Sequence, residues 1–175
     1  MCEKQGIQLL QFYSDEWLYK QSIVKSVISS KLNINEKIYA RKCKKVIIDT
    51  HQKNQFLNQN HMQGEDKSKV KIGLTYEDEL VCVMTFCKSR FNRVYEWELS
   101  RFSNKMGVNV IGGFSRLLSW FQEDYEGNIV SYADKRYSNG NVYYKNGFDN
   151  IRVNGPSYYY IDKNCNKRYN RMMFQ

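Results

Sequence analysis

Proline occurs once in this chain, at Pro156, and histidine twice, at His51 and His61. No C-x-x-C pair and no H-x3-H spacing accompanies the cysteines, so a structural zinc site is not expected. Cys2, Cys43, Cys82, Cys87 and Cys165 are odd in number and form no framework, which points to reduced thiols in a cytoplasm rather than to disulfides. Nowhere do about 18 apolar residues run together, so no membrane span is expected. The opening MCEKQGIQLLQFY has one lysine and no long apolar core, unlike a secretory signal. Internal repeats and low-complexity tracts are also missing, which leaves an ordinary globular chain. Acidic residues are in deficit: Asp and Glu number 18 against 27 Lys and Arg, a net charge of +9. A surface of that sign attracts polyanions. With 14 Tyr and 9 Phe to stack on bases, nucleic acid is the first partner to consider. A soluble basic protein with a tyrosine-rich core has the same composition.

At 175 residues one domain with an appendage is expected, able to bury roughly 70% of its unfolded surface. IQLLQFY has strand character, and Ser14 then caps a helix carrying Trp17, Leu18, Val24, Val27, Ile28 and Leu32. KIYARKCKKVIID alternates as a strand, with Tyr39, Arg41 and Cys43 on one face. Asp49 and Thr50 cap a short helix through HQKNQFLNQN. The polar stretch HMQGEDKSK after it reads either as a substrate lid or as a solvated loop. VKIGLTY and LVCVMTFCK form a hairpin in the middle of the sheet. SRFNRVY mixes Arg90 and Arg93 with Phe91 and Tyr95, suited to nucleic acid or to a hairpin tip. SYYYI reads as a late strand, and NKRYNRMMFQ as a sheet edge or a nucleic-acid contact.

The chain is organised around Trp97 to Phe148, which reads as strand, glycine loop, helix, strand, short helix and a closing Gly-Phe. Phe114, Leu117, Leu118 and Phe121 fit one face of a helix. GVNVIGG empties onto that helix's N-terminus, where free amides and the dipole favour an anion. Ser138 is a good cap for the short helix and Gly147 a good stop.

This order, ending in SYADKR and YYKNGF, resembles the second half of GNAT acyltransferases, which take acyl groups from coenzyme A. The run ELSRF, GGFSRLL, SYAD and GNVYYKNGF looks most like phage Mom-type DNA-modification proteins and the C-terminal domain of phage homing endonucleases of the very-short-patch-repair type. The resemblance covers about residues 38 to 175. It implies an α+β fold in α/β/α layers, with a GNAT-like mixed, mostly antiparallel central sheet. Residues 1–34 resemble the tail behind the nuclease domain, a strand-helix connector, and residues 35–175 the GNAT-like domain. No nuclease activity is expected of this chain.

Acyl transfer needs the cofactor's pyrophosphate held, an amine deprotonated, and a proton returned to the thiolate. For the pyrophosphate the resemblance implies the amides of Gly112, Gly113, Phe114 and Ser115, with Arg116 and Asn139 beside them and acetyl-CoA or another acyl-CoA as cofactor. Asn109 stands where the family has Gln or a cation, and Phe114 where it has a small residue. Aligning YYKNGF with the family's L-Y-x-K-x-G-F makes Tyr143 the general acid, although a core tyrosine fits as well. Glu98, Arg101, Asp134 and His61 stand where Mom-type proteins have matching residues, which makes Glu98, Asp134 and His61 the catalytic set. Glu98 with Arg101 reads equally as a partly buried ion pair, and His61 as a solvated loop residue. Arg41, Lys44, Lys45, Arg90, Arg93, Arg101, Lys135 and Arg136 are the expected nucleic-acid contacts, to DNA before RNA. The alternatives are an inactive DNA- or RNA-binding targeting module, and a phage counter-defence protein acting on a host nuclease complex.

Overall fold

A computed structural model describes residues 5–89, 94–150, 152–155, 158–164 and 167–174, for Met172 the backbone only. The fold is α+β, with a mostly antiparallel five-stranded sheet. The chain divides into two compact units: Met1–Val24 with Ala133–Gln175, and Lys25–Tyr132.

Two helices come first, α1 (Ser14–Tyr19) and α2 (Gln21–Lys31). The apolar run ahead of them is not the expected strand: it pairs with no other strand, and Ile7 and Leu9 are exposed. Its ties are single ones, Gln11 N donating to Arg136 O at 2.9 Å and the Phe12 ring stacking on that of Tyr137 at 6.1 Å, which do not make a ladder. Ser14 is the first helical residue rather than the cap. Tyr13 takes the cap position, and the Glu16 carboxylate accepts from its backbone N at 2.9 Å.

The unit Lys25–Tyr132 holds β1 (Glu36–Tyr39), β2 (Lys44–Ile47), α3 (Thr50–Asn60), β3 (Val70–Tyr76), β4 (Glu79–Lys88), β5 (Trp97–Asn104), β6 (Val108–Ile111), α4 (Gly113–Asp124) and β7 (Ile129–Ser131). The single strand expected through KIYARKCKKVIID is broken by a 3-10 turn at Ala40–Lys42. That turn buries Ala40 and Cys43 and leaves Tyr39 and Arg41 exposed, so the three expected on one face do not share it. β1 pairs in parallel with β6, and β2 antiparallel with β3.

The sheet order is β2-β3-β4-β5-β7, and β4 is buried from Val81 to Phe86. Phe86 faces α4, where its ring stacks on Phe121 at 3.6 Å between centroids. Val83 faces the other way, into a cluster with Ile48, Phe56 and Leu57 of α3. Since strand residues alternate sides, α3 and α4 cover opposite faces of the sheet. Asp49 caps α3 through a reciprocal pair: its Oδ1 accepts from Gln52 N at 2.8 Å, and Asp49 N donates to Gln52 Oε1 at 3.1 Å.

The polar stretch after α3 is fastened down, contrary to a mobile lid. Lys53 Nζ pairs with Asp66 Oδ1 at 2.9 Å, with side chains only 1% and 8% exposed. Lys53 also donates to the Asp66 carbonyl, and the hydroxyls of Thr85 and Ser68 donate to the Asp66 carboxylate. Buried charge persists only when paired and hydrogen-bonded like this. Burial alone would raise the pKa of Asp66, but bonds from Thr85, Lys53 and Ser68 outweigh it and hold the carboxyl below its ordinary value.

The other unit contains α1, α5 (Asn141–Tyr144), and the antiparallel pair β8 (Tyr159–Ile161) and β9 (Arg168–Asn170). Among its described residues only Ile23 and Val24 are buried hydrophobics. Ions and rings close it instead. Glu16, 6% exposed, accepts from Arg136 Nη1 at 2.9 and 2.8 Å and from Arg168 Nη2 at 3.1 Å. Asp15 holds Arg168 Nε at 2.8 Å, and Asp134 holds Arg136 Nη2 at 2.7 Å. The Tyr13 ring lies 4.5 Å from the Arg136 guanidinium and 3.6 Å from that of Arg168.

Candidate functional site

β6 ends at Ile111, and Gly112 turns the chain with φ +79° into the first residue of α4, Gly113. That left-handed conformation suits glycine. A Cβ at Gly113 would meet Val110 Cγ1 at 3.0 Å, so glycine there lets the helix start tight against β6. The Phe114 ring is buried edge-on to Phe102 at 5.0 Å, leaving only its backbone for the helix mouth. A cavity of about 410 Å³ opens beside this mouth, lined by Tyr39, Arg41, Gly112, Ser115 and Arg116 among others. Arg116 Nη2 donates to Cys43 O at 3.2 Å, while its buried Nε makes no hydrogen bond. First-turn amides, the positive dipole end and two arginines together suit a phosphate-bearing ligand.

A second cluster stands on the α3 side of the sheet. The β4–β5 register slips by one: Thr85 opposes Arg101, but Phe86 opposes Leu99. Ser100 is therefore the extra residue of a β-bulge. Three positions apart, Glu98 and Arg101 would ordinarily face opposite sides; the bulge turns both to the α3 side. There Arg101 Nε donates to Gly64 O at 3.4 Å and Ser103 Oγ to Asn60 O at 3.0 Å. Gly64 N donates to His61 O at 2.9 Å, and His61 Nδ1 accepts from Gln63 N at 3.1 Å. Glu98, 5% exposed, thus shares a sheet face with Arg101 and the His61 loop. β7 pairs with β5 over its whole length, ending with Leu99 opposite Ser131, while β5 runs on to Asn104.

Asp134, Lys135, Arg136, Asn139 and Tyr143 belong to the other unit. Burial would raise the Asp134 carboxyl, but the hydrogen bonds of Arg136 outweigh it and hold the group below its ordinary value. Burial first, then the charge of Asp134, pushes the Tyr137 phenol up. Arg136 is engaged by two carboxylates, and Asn139 Oδ1 accepts from Asn141 N at 3.3 Å. The Tyr143 ring packs edge-on to Phe148 at 5.6 Å. α5 is a single turn capped by Gly140, with Ser138 Oγ accepting from Gly140 N at 3.2 Å.

Of the expected nucleic-acid contacts, Arg41, Lys44, Lys45 and Lys135 are exposed, Arg101 is tied to backbone carbonyls, and Arg90 and Arg93 lie outside the described residues. Sequence reasoning passed over Tyr39 and Trp120, which carry rings beside these cations: Arg41 lies 5.0 Å from the Tyr39 ring, and Lys45 Nζ 5.4 Å from that of Trp120. The signal was present, since the buried register of α4 at Phe114, Leu117, Leu118 and Phe121 leaves Trp120 off that face. Cys43, Cys82 and Cys87 are free thiols, and burial pushes that of Cys82 far up, away from reactivity. Among the described residues no group of three or more His, Cys, Asp or Glu could hold a metal ion, and no helix is long and apolar enough to cross a membrane. Compared with protein-family models, with curated proteins and with solved structures, the chain matches none.

Proposed function

We propose that the chain is a GNAT-fold, Mom-like transferase that uses an acyl-CoA to modify an amine of a nucleic-acid base. The observation that carries this reading is the glycine mouth of α4, which opens beside a cavity of about 410 Å³ walled by Arg41 and Arg116 among others. The residues at the mouth fit a pyrophosphate: the positive end of α4, the Arg116 Nε without an acceptor, and Arg41 on the cavity wall. Acyl-CoA, when bound, supplies an activated acyl group. The chain's own part is to hold the pyrophosphate at Gly113 to Arg116 and to take the acceptor's proton at Glu98, with Arg101 and the His61 loop shaping that face. Calorimetric titration with acetyl-CoA tests the reading. Micromolar to millimolar binding is expected, weakened about tenfold or more in Arg116→Ala by loss of a charge-assisted contact. No heat at millimolar acetyl-CoA overturns it.

A second reading, a nucleic-acid-binding module without transfer chemistry, is favoured by the engagement of Asp134 with Arg136. It expects salt-sensitive nucleic-acid affinity that is unchanged in Glu98→Gln.

A further inference from the structure

Five cations occur between Lys37 and Lys45, namely Lys37, Arg41, Lys42, Lys44 and Lys45. All are exposed, while Ile38, Ala40 and Cys43 between them are buried, so the segment is anchored by one set of side chains and presents the other. It follows the flank of α4. A Cβ at Gly112 would lie 3.8 Å from that of Ala40, Cys43 O accepts from Arg116, and Lys45 reaches Trp120 and Glu123. From Gly112 to Glu123 that flank is about 16 Å long, several nucleotide steps of a strand.

We propose that this flank is a track for single-stranded nucleic acid, with phosphates on Arg41, Lys42 and Lys44 and bases against the rings of Tyr39 and Trp120. The inference deepens the functional reading above and rests on its assignment of nucleic acid as the acceptor. Charge complementarity carries it. Lys37, Arg41 and Lys42 form no ion pair with a described residue. Among the described residues Lys44 forms an ion pair only with Asp78, at 3.6 Å, with both side chains over 80% exposed. Such a surface pair is weak and yields readily to a phosphate. The rings select an unpaired strand, because stacking requires a base face that a duplex keeps covered. Tyr39 is 45% exposed, and Trp120 walls a second hollow of about 370 Å³ with Ile47 and Tyr125, where a base can enter.

Fluorescence anisotropy with labelled DNA and RNA strands of about 12 nucleotides, and with the matching duplex, tests the track between about 50 and about 200 mM salt. Both strand chemistries present the same phosphates and bases, and the two arms show which is preferred. Single strands are expected to bind, and to bind more tightly than the duplex. The Arg41→Ala/Lys42→Ala pair should weaken binding and lower the slope of log affinity against log salt by about 1.4, or about 0.7 per cation. Lys67→Ala/Lys163→Ala, which removes the same charge elsewhere, should leave the slope unchanged. Trp120→Leu should abolish the quenching of tryptophan fluorescence that accompanies binding. Equal losses from the two charge pairs, preference for duplex, or no binding of any strand at the lowest salt overturns the track. Acetyl-CoA titrated into the same preparation separates the failures. Cofactor binding without strand binding sinks the track alone, and strand binding without cofactor binding supports the track while sinking the transfer chemistry.

Discussion

Lys53 shows how far a single residue can depart from its appearance in sequence. In HQKNQFLNQN it reads as a solvated helix lysine, yet it is 1% exposed and bound to Asp66, thirteen positions on. Nothing local announces the partner, so neither the buried pair nor the fixed loop was legible. Lys53→Met alone should cost about 3–5 kcal/mol in urea unfolding, because it strands a buried carboxylate. Adding Asp66→Leu should recover much of that loss. The pH dependence follows from the same carboxylate. Asp66 and Asp134 both have folded values below their unfolded ones. Their stabilisation is therefore fully present above the unfolded value of about 4 and is lost as pH falls through the folded values. Urea midpoints should drop steadily below about pH 4, and Asp66→Asn should make that drop shallower.

Elements with one strong local cause were readable from the chain. The capped helix after Asp49, the β3–β4 hairpin and the apolar face of α4 all stand where periodicity and capping residues put them. Features set by pairing were not. KIYARKCKK alternates enough to read as one strand, so the 3-10 turn that divides it became visible only with β3 and β6 as separate partners. The Ser100 bulge is likewise a property of β4 and β5 together, and it alone gathers Glu98 and Arg101 on one face. The glycine turn into α4 was legible, and it makes a clear prediction. A Cβ at Gly112 has 3.8 Å to its nearest neighbour, so Gly112→Ala brings no clash, only backbone strain at φ +79°. A loss of about 1–2 kcal/mol is expected in thermal or urea unfolding.

At the scale of the whole molecule, a net charge of +9 could be read at once, but its distribution could not. Arg136 and Arg168 belong to a clasp of chain ends around Glu16, not to an open basic face. Glu16→Ala should weaken that unit by about 2 kcal/mol. Amide exchange should then quicken at Gln11 and at 134–137, while β4 keeps its protection. β2 is the outermost strand of its sheet, and Ile47 at its end is 77% exposed. Such a rim invites a second copy of the chain to add itself strand to strand, and lysine is a common deterrent. Lys44 and Lys45 sit on that rim. Their repulsion thus has a social role besides any ligand: Lys44→Ala/Lys45→Ala protein should show larger particles by light scattering as concentration rises, whether or not nucleic acid is present.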